Sequence, residues 1–191
     1  MTGATGAAPD DADAGPFALW HFSEDADLAT FTPRIAPTQR DRSTAQVWAV
    51  DTWHAPTYWF PPQCPRGCIW PGEATTDEDR RRFFGHSNTS RIHVIESDWL
   101  DRMRACRLFG YRLPADTFSK HPDAGGYWVS WEPVTAVDRI ELADLLAQHA
   151  DAGIELRVTP SLWPWWRAVI DSTVEFSGIR LHNSSSADAT P

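Results

Sequence analysis

The chain has 191 residues and a formal net charge of −9. Hydrophobic residues make up 42% and charged residues 23%, as is usual for a globular protein. The length suits one domain with its own hydrophobic core. The acidic charge argues against general nucleic-acid binding, which needs a basic surface. No apolar run reaches the ~18–20 residues that cross a bilayer.

Both ends of the chain have the composition of disordered tails. Residues 1–16 are acidic and lack the basic and apolar regions of a signal peptide. Residues 184–191 are mostly serine, alanine and other small or polar residues. The three cysteines are too few for a disulfide framework, which favours a reducing compartment. We therefore expect one domain over residues 17–183, located in the cytoplasm and without membrane contact.

The first half of the chain predicts short strands separated by irregular, proline-rich segments. Apolar runs indicate strands at 17–23, 47–50, 68–70 and 92–95. Residues 52–60 predict a helix with Asp51 or Thr52 as its N-cap, closed by Pro61 and Pro62. The charged run from Asp77 to Arg82 predicts a solvated helix or turn, since its acidic and basic residues largely cancel.

The second half mixes strands and helices without a regular alternation. Helices are predicted at 98–104 after a Ser97 cap, at 140–152, and from Ser161 to about Ser172. Strands are predicted at 106–113, 127–131, 154–158 and 174–181. A glycine-rich phosphate loop is missing from the sequence, which argues against a Rossmann fold or a P-loop ATPase. The pattern predicts a single domain of the α+β class.

The first candidate for chemistry is the pair formed by His21 and Ser23. On a strand, residues two apart lie on one face. One imidazole and one hydroxyl on the same face can bind the diol of a sugar. The alternative is that His21 is an ordinary strand residue that hydrogen-bonds to a backbone carbonyl.

The second and third candidates carry aromatic residues. Residues 47–58 form a predicted strand followed by a helix, with Trp48 near one end and Tyr58 at the other, and core packing is the alternative role for both rings. Glu132 follows the strand predicted at 127–131, where apolar walls would strengthen the interactions of its charge. Its alternative is a solvated edge residue. Eleven tryptophans in the chain make a cleft with aromatic walls a reasonable expectation.

These three segments together resemble the ADP-ribosyltransferase-like superfamily, in which a His–Tyr–Glu triad holds NAD. The stretches LWHFSEDADLATFTPR, VWAVDTWHAPTYWFPPQCPR and GYWVSWEPV resemble more closely a bacterial family of unknown function that begins with an HFSE segment. That family resemblance spans about residues 17 to 183. The superfamily resemblance implies a split, strongly twisted sheet with flanking helices.

The superfamily resemblance also implies roles for individual residues. His21 would hydrogen-bond the adenosine ribose, with Ser23 supporting the backbone nearby, and Tyr58 would stack on the nicotinamide ring. Trp48 would be part of the same cofactor site. Glu132 would hydrogen-bond the nicotinamide ribose and stabilise the oxocarbenium-like transition state. The implied function is a transferase that uses NAD or another nucleotide, with an acceptor that the sequence does not identify.

The superfamily fold is also used for transfer reactions on RNA phosphates, which depend on arginines. Four arginines are candidates for that role: Arg34, Arg40, Arg42 and Arg91. No spacing in the sequence singles out any of them.

Two further classes of function stay open. Cys64 and Cys68, with His54, His86 and His93 nearby in sequence, offer zinc-like ligands, but the cysteines lack the two-residue spacing of a zinc knuckle and no second cysteine pair is present. We therefore expect no metal. A non-catalytic domain that binds a small molecule in a tryptophan-rich cleft is the main alternative to the transferase. Nucleophilic hydrolysis is disfavoured because no GxSxG or Cys–His signature is present.

Overall fold

A computed structural model describes residues 17–35, 44–122 and 124–185. The predicted tail at 1–16 and most of the predicted tail at 184–191 lie outside the described residues. Ser185 belongs to the described part, and its backbone N–H donates to Glu96 Oε2 at 2.9 Å. The hydrogen-bonded domain therefore extends at least two residues beyond position 183.

The larger sheet has six strands, numbered here in chain order. They are β1 (Leu19–Ser23), β3 (Val47–Asp51), β6 (Leu108–Leu113), β7 (Ser119–Lys120), β8 (Tyr127–Ser130) and β10 (Asp138–Leu142). Their order is β10-β6-β1-β3-β8-β7, and every neighbouring pair is antiparallel. The middle of this sheet is therefore formed by β1 and β3, with β8 next to β3.

A second sheet has four strands: β4 (Arg66–Trp70), β5 (Ile92–Glu96), β11 (Glu155–Thr159) and β12 (Glu175–Ile179). Their order is β11-β5-β4-β12, and only the β5–β11 pair is parallel. A short antiparallel ladder joins β2 (Thr30–Phe31) to β9 (Val134–Thr135). The described strands thus form separate, mostly antiparallel sheets.

Four α-helices accompany the sheets in the described part of the chain: α1 (Asp77–Phe84), α2 (Leu100–Ala105), α3 (Leu145–Asp151) and α4 (Trp163–Ile170). Thr76 caps α1 by accepting the Asp79 N–H, and acidic residues fill its first turn, as the helix dipole favours. Short 3₁₀ turns occur at Ala55–Tyr58, Ser97–Trp99 and Leu181–Asn183. None of the helices described is long and apolar enough to span a membrane.

The main core lies between the two large sheets. It combines buried residues of the four-stranded sheet, such as Cys68 and Ile95, with Leu108 and Leu142 of the six-stranded sheet. The outer face of the four-stranded sheet packs against α1 and α4, so that β4 and β5 are buried on both faces. A third cluster covers the other face of the six-stranded sheet and includes Phe31 of β2.

The α+β class and the single domain are confirmed, but two predicted helices are wrong in extent. Residues 138–142 form strand β10 along the edge of β6, and α3 begins only at Leu145, capped by the Asp144 carboxylate. Backbone pairing with β6 outweighs the helical spacing of the apolar residues there. The helix predicted at 52–60 is a single 3₁₀ turn at Ala55–Tyr58.

Candidate functional site

The three segments singled out in the sequence are neighbours in the six-stranded sheet. His21 lies on β1, Tyr58 ends the turn that follows β3, and Glu132 lies two residues after β8. Strands β1, β3 and β8 are consecutive in the sheet order. Because β3 and β8 are antiparallel, the end of β3 lies beside the start of β8, where Val50 pairs with Tyr127.

His21 and Tyr58 nevertheless lie on opposite faces of this sheet. The His21 ring packs 4.8 Å from the Phe31 ring, on the face covered by β2. Its Nδ1 hydrogen-bonds to the Trp48 carbonyl at 2.9 Å, and burial lowers its pKa. Tyr58 instead stacks on Phe22, which follows His21 and therefore points to the other face. His21 adopts the ordinary strand role that was its alternative.

Tyr58 belongs to a row of aromatic rings on its own face. The Trp20 and Phe22 rings lie 6.4 Å apart with 23° between their planes, and the Phe22 and Tyr58 rings lie 6.5 Å apart with 8° between theirs. All three side chains are only partly buried. We call these three residues the aromatic row. They present near-parallel rings at the boundary between the core and solvent.

A fully buried arginine lies behind the aromatic row. The Arg66 guanidinium is 5.2 Å from the Tyr58 ring centroid, donates to the Thr57 and Cys64 carbonyls at 2.8 and 3.0 Å, and is 1% exposed. Within the described residues no carboxylate pairs with it. Among the described residues, its positive charge beneath the aromatic row meets only neutral acceptors.

Tyr127 connects Tyr58 to Trp48. The Tyr58 hydroxyl donates to the Tyr127 hydroxyl at 3.0 Å, and the Tyr127 ring meets both neighbouring rings edge to face. Burial raises the pKa of both phenols, which stay protonated at neutral pH. Trp48 Nε1 is buried without a hydrogen-bond partner in the described part. Two of the predicted cofactor residues, Tyr58 and Trp48, are thus brought together.

Glu132 and Ser23 lie away from this group. Glu132 is exposed, and its N–H donates to Ser130 Oγ at 3.2 Å, at the opposite end of β8 from Tyr127. Ser23 Oγ accepts the Asp25 N–H at 3.1 Å and shapes the turn after β1. The predicted triad is therefore spread over two faces and two ends of the sheet, and the roles that the resemblance implies for it stay predictions.

A second polar group lies at the end of β3 and combines Asp51, His54 and Arg91, which the sequence suggested only for three unrelated roles. Asp51 Oδ1 accepts both the His54 backbone N–H at 2.9 Å and the His54 ring Nδ1–H at 2.7 Å. The Arg91 guanidinium lies 3.5 Å from the centroid of the Trp53 ring, which also contacts His54. The Asp-x-x-His spacing at the end of a strand could have identified Asp51 and His54 from the sequence. Arg91 could not be identified in this way, because it is distant in sequence and is placed here by the strand that follows it, β5.

The residues considered for a metal do not assemble. Cys64 and Cys68 are buried thiols whose pKa burial raises to about 12. His93 hydrogen-bonds to His149 inside the core. Across the described ranges, no three cysteine, histidine or acidic side chains are grouped as a metal site would require. Of the arginines considered for RNA phosphates, Arg40 and Arg42 lie outside the described residues.

An open depression of about 380 Å³ lies on the His21 face of the sheet, away from the aromatic row. Its lining comes mainly from the segment after β1 and from residues 136–139 at and before the start of β10. Tyr111 is also part of it, and the hydroxyl of Tyr111 donates to the Asp25 carbonyl at 2.6 Å. It contains none of the predicted site residues.

Comparison with known proteins gives one family. Neither the curated proteins nor the solved structures include one that matches the chain. A family model described as a family of unknown function matches residues 20–184, which cover the two large sheets and both candidate groups of residues. The chain therefore belongs to that family, DUF6886, as the resemblance to an uncharacterised family predicted.

Proposed function

We propose that this domain binds a nucleotide on the aromatic row. The observation that carries the proposal is the row itself, three partly exposed and near-parallel rings placed over a buried guanidinium that no described carboxylate neutralises. A flat base favours stacking on such rings. A buried positive charge favours an anionic ligand, because the surrounding apolar groups screen it little.

Two neighbouring groups support a nucleotide over an uncharged flat molecule. Arg180 lies close enough for its charge to act on Tyr58, and its Nε donates to the Pro62 carbonyl at 3.3 Å. Trp48 Nε1 offers a buried donor without a partner among the described residues. A ligand with a stacked ring, an acceptor atom and a negative charge would satisfy all three features.

The test is the binding of NAD, ATP and uncharged adenosine by calorimetry, beside Tyr58→Ala. We expect NAD or ATP to bind and to raise the melting temperature by mass action, with adenosine binding more weakly. Tyr58→Ala should reduce affinity at least tenfold. Trp131→Ala is the matched control, because Trp131 is 51% exposed and lies outside the row. Absence of binding by all three ligands at millimolar concentration would contradict the proposal.

The second candidate function is the NAD-dependent transferase of the ADP-ribosyltransferase-like type. The strands that precede or carry His21, Tyr58 and Glu132 are neighbours in a single sheet, but the three side chains lie on two faces and two ends of it, so this function would depend on Glu132 without the other two. In that function Glu132 would stabilise positive charge on the ribose as nicotinamide leaves. Release of nicotinamide from NAD by the wild type, lost in Glu132→Gln with NAD affinity unchanged, would distinguish the transferase from a binding domain. Equal release by both proteins would exclude this role for Glu132.

A further inference from the structure

The side chain of His54 is fixed by Asp51 at the end of β3. A carboxylate only accepts hydrogen bonds, so His54 Nδ1 carries a proton and donates it to Asp51 Oδ1 at 2.7 Å. The other ring nitrogen, Nε2, has no hydrogen-bond partner among the described residues, and the side chain is 10% exposed. The orientation of the imidazole is thus set on one side and open on the other.

Arg91 lies against the same aromatic wall, and its guanidinium donors meet no described residue. Its guanidinium stacks 3.5 Å from the Trp53 ring centroid, and the same ring lies 4.5 Å from the His54 ring. The guanidinium makes no hydrogen bond or ion pair with any residue in the described part. Burial lowers its pKa to about 10, so it stays charged at neutral pH. A partly buried guanidinium whose donors meet no described residue leaves those donors to a ligand or to water.

Trp70 closes the wall behind both groups. Its ring lies 5.1 Å from that of Trp53 and 5.5 Å from that of His54, both edge to face. Asp51 acts electrostatically on Arg91 but lies beyond ion-pair distance. Both His54 donors go to Asp51 Oδ1, so this carboxylate is held beside His54 and not on the Arg91 donors.

We propose that Arg91, held on the Trp53 ring that His54 also contacts, forms a binding site for a small oxyanion, a carboxylate or a phosphate group. The planar guanidinium presents paired N–H donors that match two oxygens of such a group. Stacking on Trp53 holds the guanidinium plane in place, and the apolar wall strengthens the interaction. This site is separate from the aromatic row and does not depend on the proposed nucleotide binding.

The experiment is calorimetric titration of the full chain with inorganic phosphate and, separately, acetate at constant ionic strength. We expect one site, weakened at least tenfold in Arg91→Gln and severalfold in His54→Gln. Arg104→Gln is the matched control, because Arg104 is exposed and pairs only with Asp101. Binding of phosphate alone would identify a phosphate site, and binding of both anions a general oxyanion site.

A second measurement covers the case in which Arg91→Gln does not fold. The Nε–H resonance of Arg91 should be displaced by the ring current of Trp53 in the wild type, and phosphate should move it while chloride does not. No heat of binding at 50 mM phosphate, or an unmoved Arg91 resonance, would overturn the proposal. Equal phosphate affinity in Arg91→Gln and wild type would do the same.

Discussion

Two histidine-containing pairs, both hydrogen-bonded through ring nitrogens, are built in opposite ways in this molecule. His93 and His149 meet inside the core between the two sheets, 3.1 Å apart and almost wholly buried. His54 meets the Asp51 carboxylate at the end of β3, and its other ring nitrogen makes no hydrogen bond to a described residue. We call them the sealed pair and the open pair.

The sealed pair is arranged for two neutral rings. His149 Nδ1–H donates to the Leu145 carbonyl at 2.7 Å, so its Nε2 accepts from His93 Nδ1–H. His93 Nε2 is then a buried acceptor without a partner in the described residues. The aromatic rings of Phe60 and Trp59 surround the pair. A proton on either ring would have to be buried without a counterion.

The open pair joins the ring to a carboxylate acceptor instead of a second ring. The His54 side chain is 10% exposed, whereas the rings of the sealed pair are almost wholly buried. The comparison teaches that burial of a histidine does not by itself indicate function. The partner and the access of the second nitrogen decide whether the ring serves packing or chemistry.

The largest expected effect on stability comes from adding a methyl group in the space beside the open pair. Gly126 has φ +77°, and a Cβ there would clash with the His54 ring. We expect Gly126→Ala to lower the free energy of unfolding by about 2–4 kcal/mol, from strain and overpacking together. The control is Gly153→Ala, which has φ +66° but open space around the new methyl and should cost only about 1 kcal/mol. Equal losses in urea denaturation would show that the His54 ring is not held in place.

Acid should protonate the sealed pair and lower the free energy of unfolding. Burial lowers the pKa of His149 to about 4 from 6.5, and that of His93 falls in the same direction. The neutral rings therefore contribute stability that is complete above pH 6.5 and is lost as the pH falls to about 4. For His149 alone the loss is roughly 3 kcal/mol. Urea denaturation at several values between pH 7 and pH 4 measures it.

The double variant His93→Leu with His149→Leu is the partner experiment for the acid prediction. It removes both titrating groups and should flatten most of the dependence of stability on pH over this range. His86→Gln, which removes an exposed histidine, should leave the dependence as in the wild type. A double variant that loses stability with acid as steeply as the wild type would show that other groups control the transition.

Much of the fold was readable from local patterns. The strands at 47–50, 92–95 and 127–131 are present within a residue or so of their predicted bounds, because each is a short apolar run between turn residues. The helix predicted at 140–152 was wrong at its start, since β10 exists only by pairing with β6. Hydrogen bonding between two strands that are distant in sequence leaves no periodic pattern of apolar residues in either segment.

The sequence predicted which segments contribute to the candidate site, but not which face of the sheet each side chain occupies. His21 and Phe22 are adjacent, and which of them points to Tyr58 depends on the covering of each sheet face by other elements. Arg66 and Arg91 could not be connected to the site from sequence, because each reaches it from the second sheet. The packing of one sheet on the other decides these contacts.

A smaller loss should follow when the open pair loses its charge. Asp51→Asn keeps an oxygen acceptor but removes the negative charge, and we expect a loss of about 1–2 kcal/mol in the free energy of unfolding. Asp101→Asn is the matched control. Asp101 also pairs with a residue three positions away, but it is almost fully exposed and should cost less than about 0.5 kcal/mol. Equal effects in urea denaturation would mean that the open pair is no stronger than a surface ion pair.

The smallest effect on stability is expected at a third hydrogen-bonded pair, Tyr58 and Tyr127, in which both partners are neutral phenols. Tyr58→Phe removes the hydroxyl that donates to Tyr127 at 3.0 Å and leaves the ring stacked on Phe22. Because both partners are neutral and Tyr58 is partly exposed, the loss should be about 0.5–1 kcal/mol. Nucleotide affinity should stay within a few-fold of the wild type if stacking is the main contribution of Tyr58. A tenfold loss of affinity with unchanged stability would instead assign recognition to the hydroxyl, and the ligand would then need a polar group facing Tyr127.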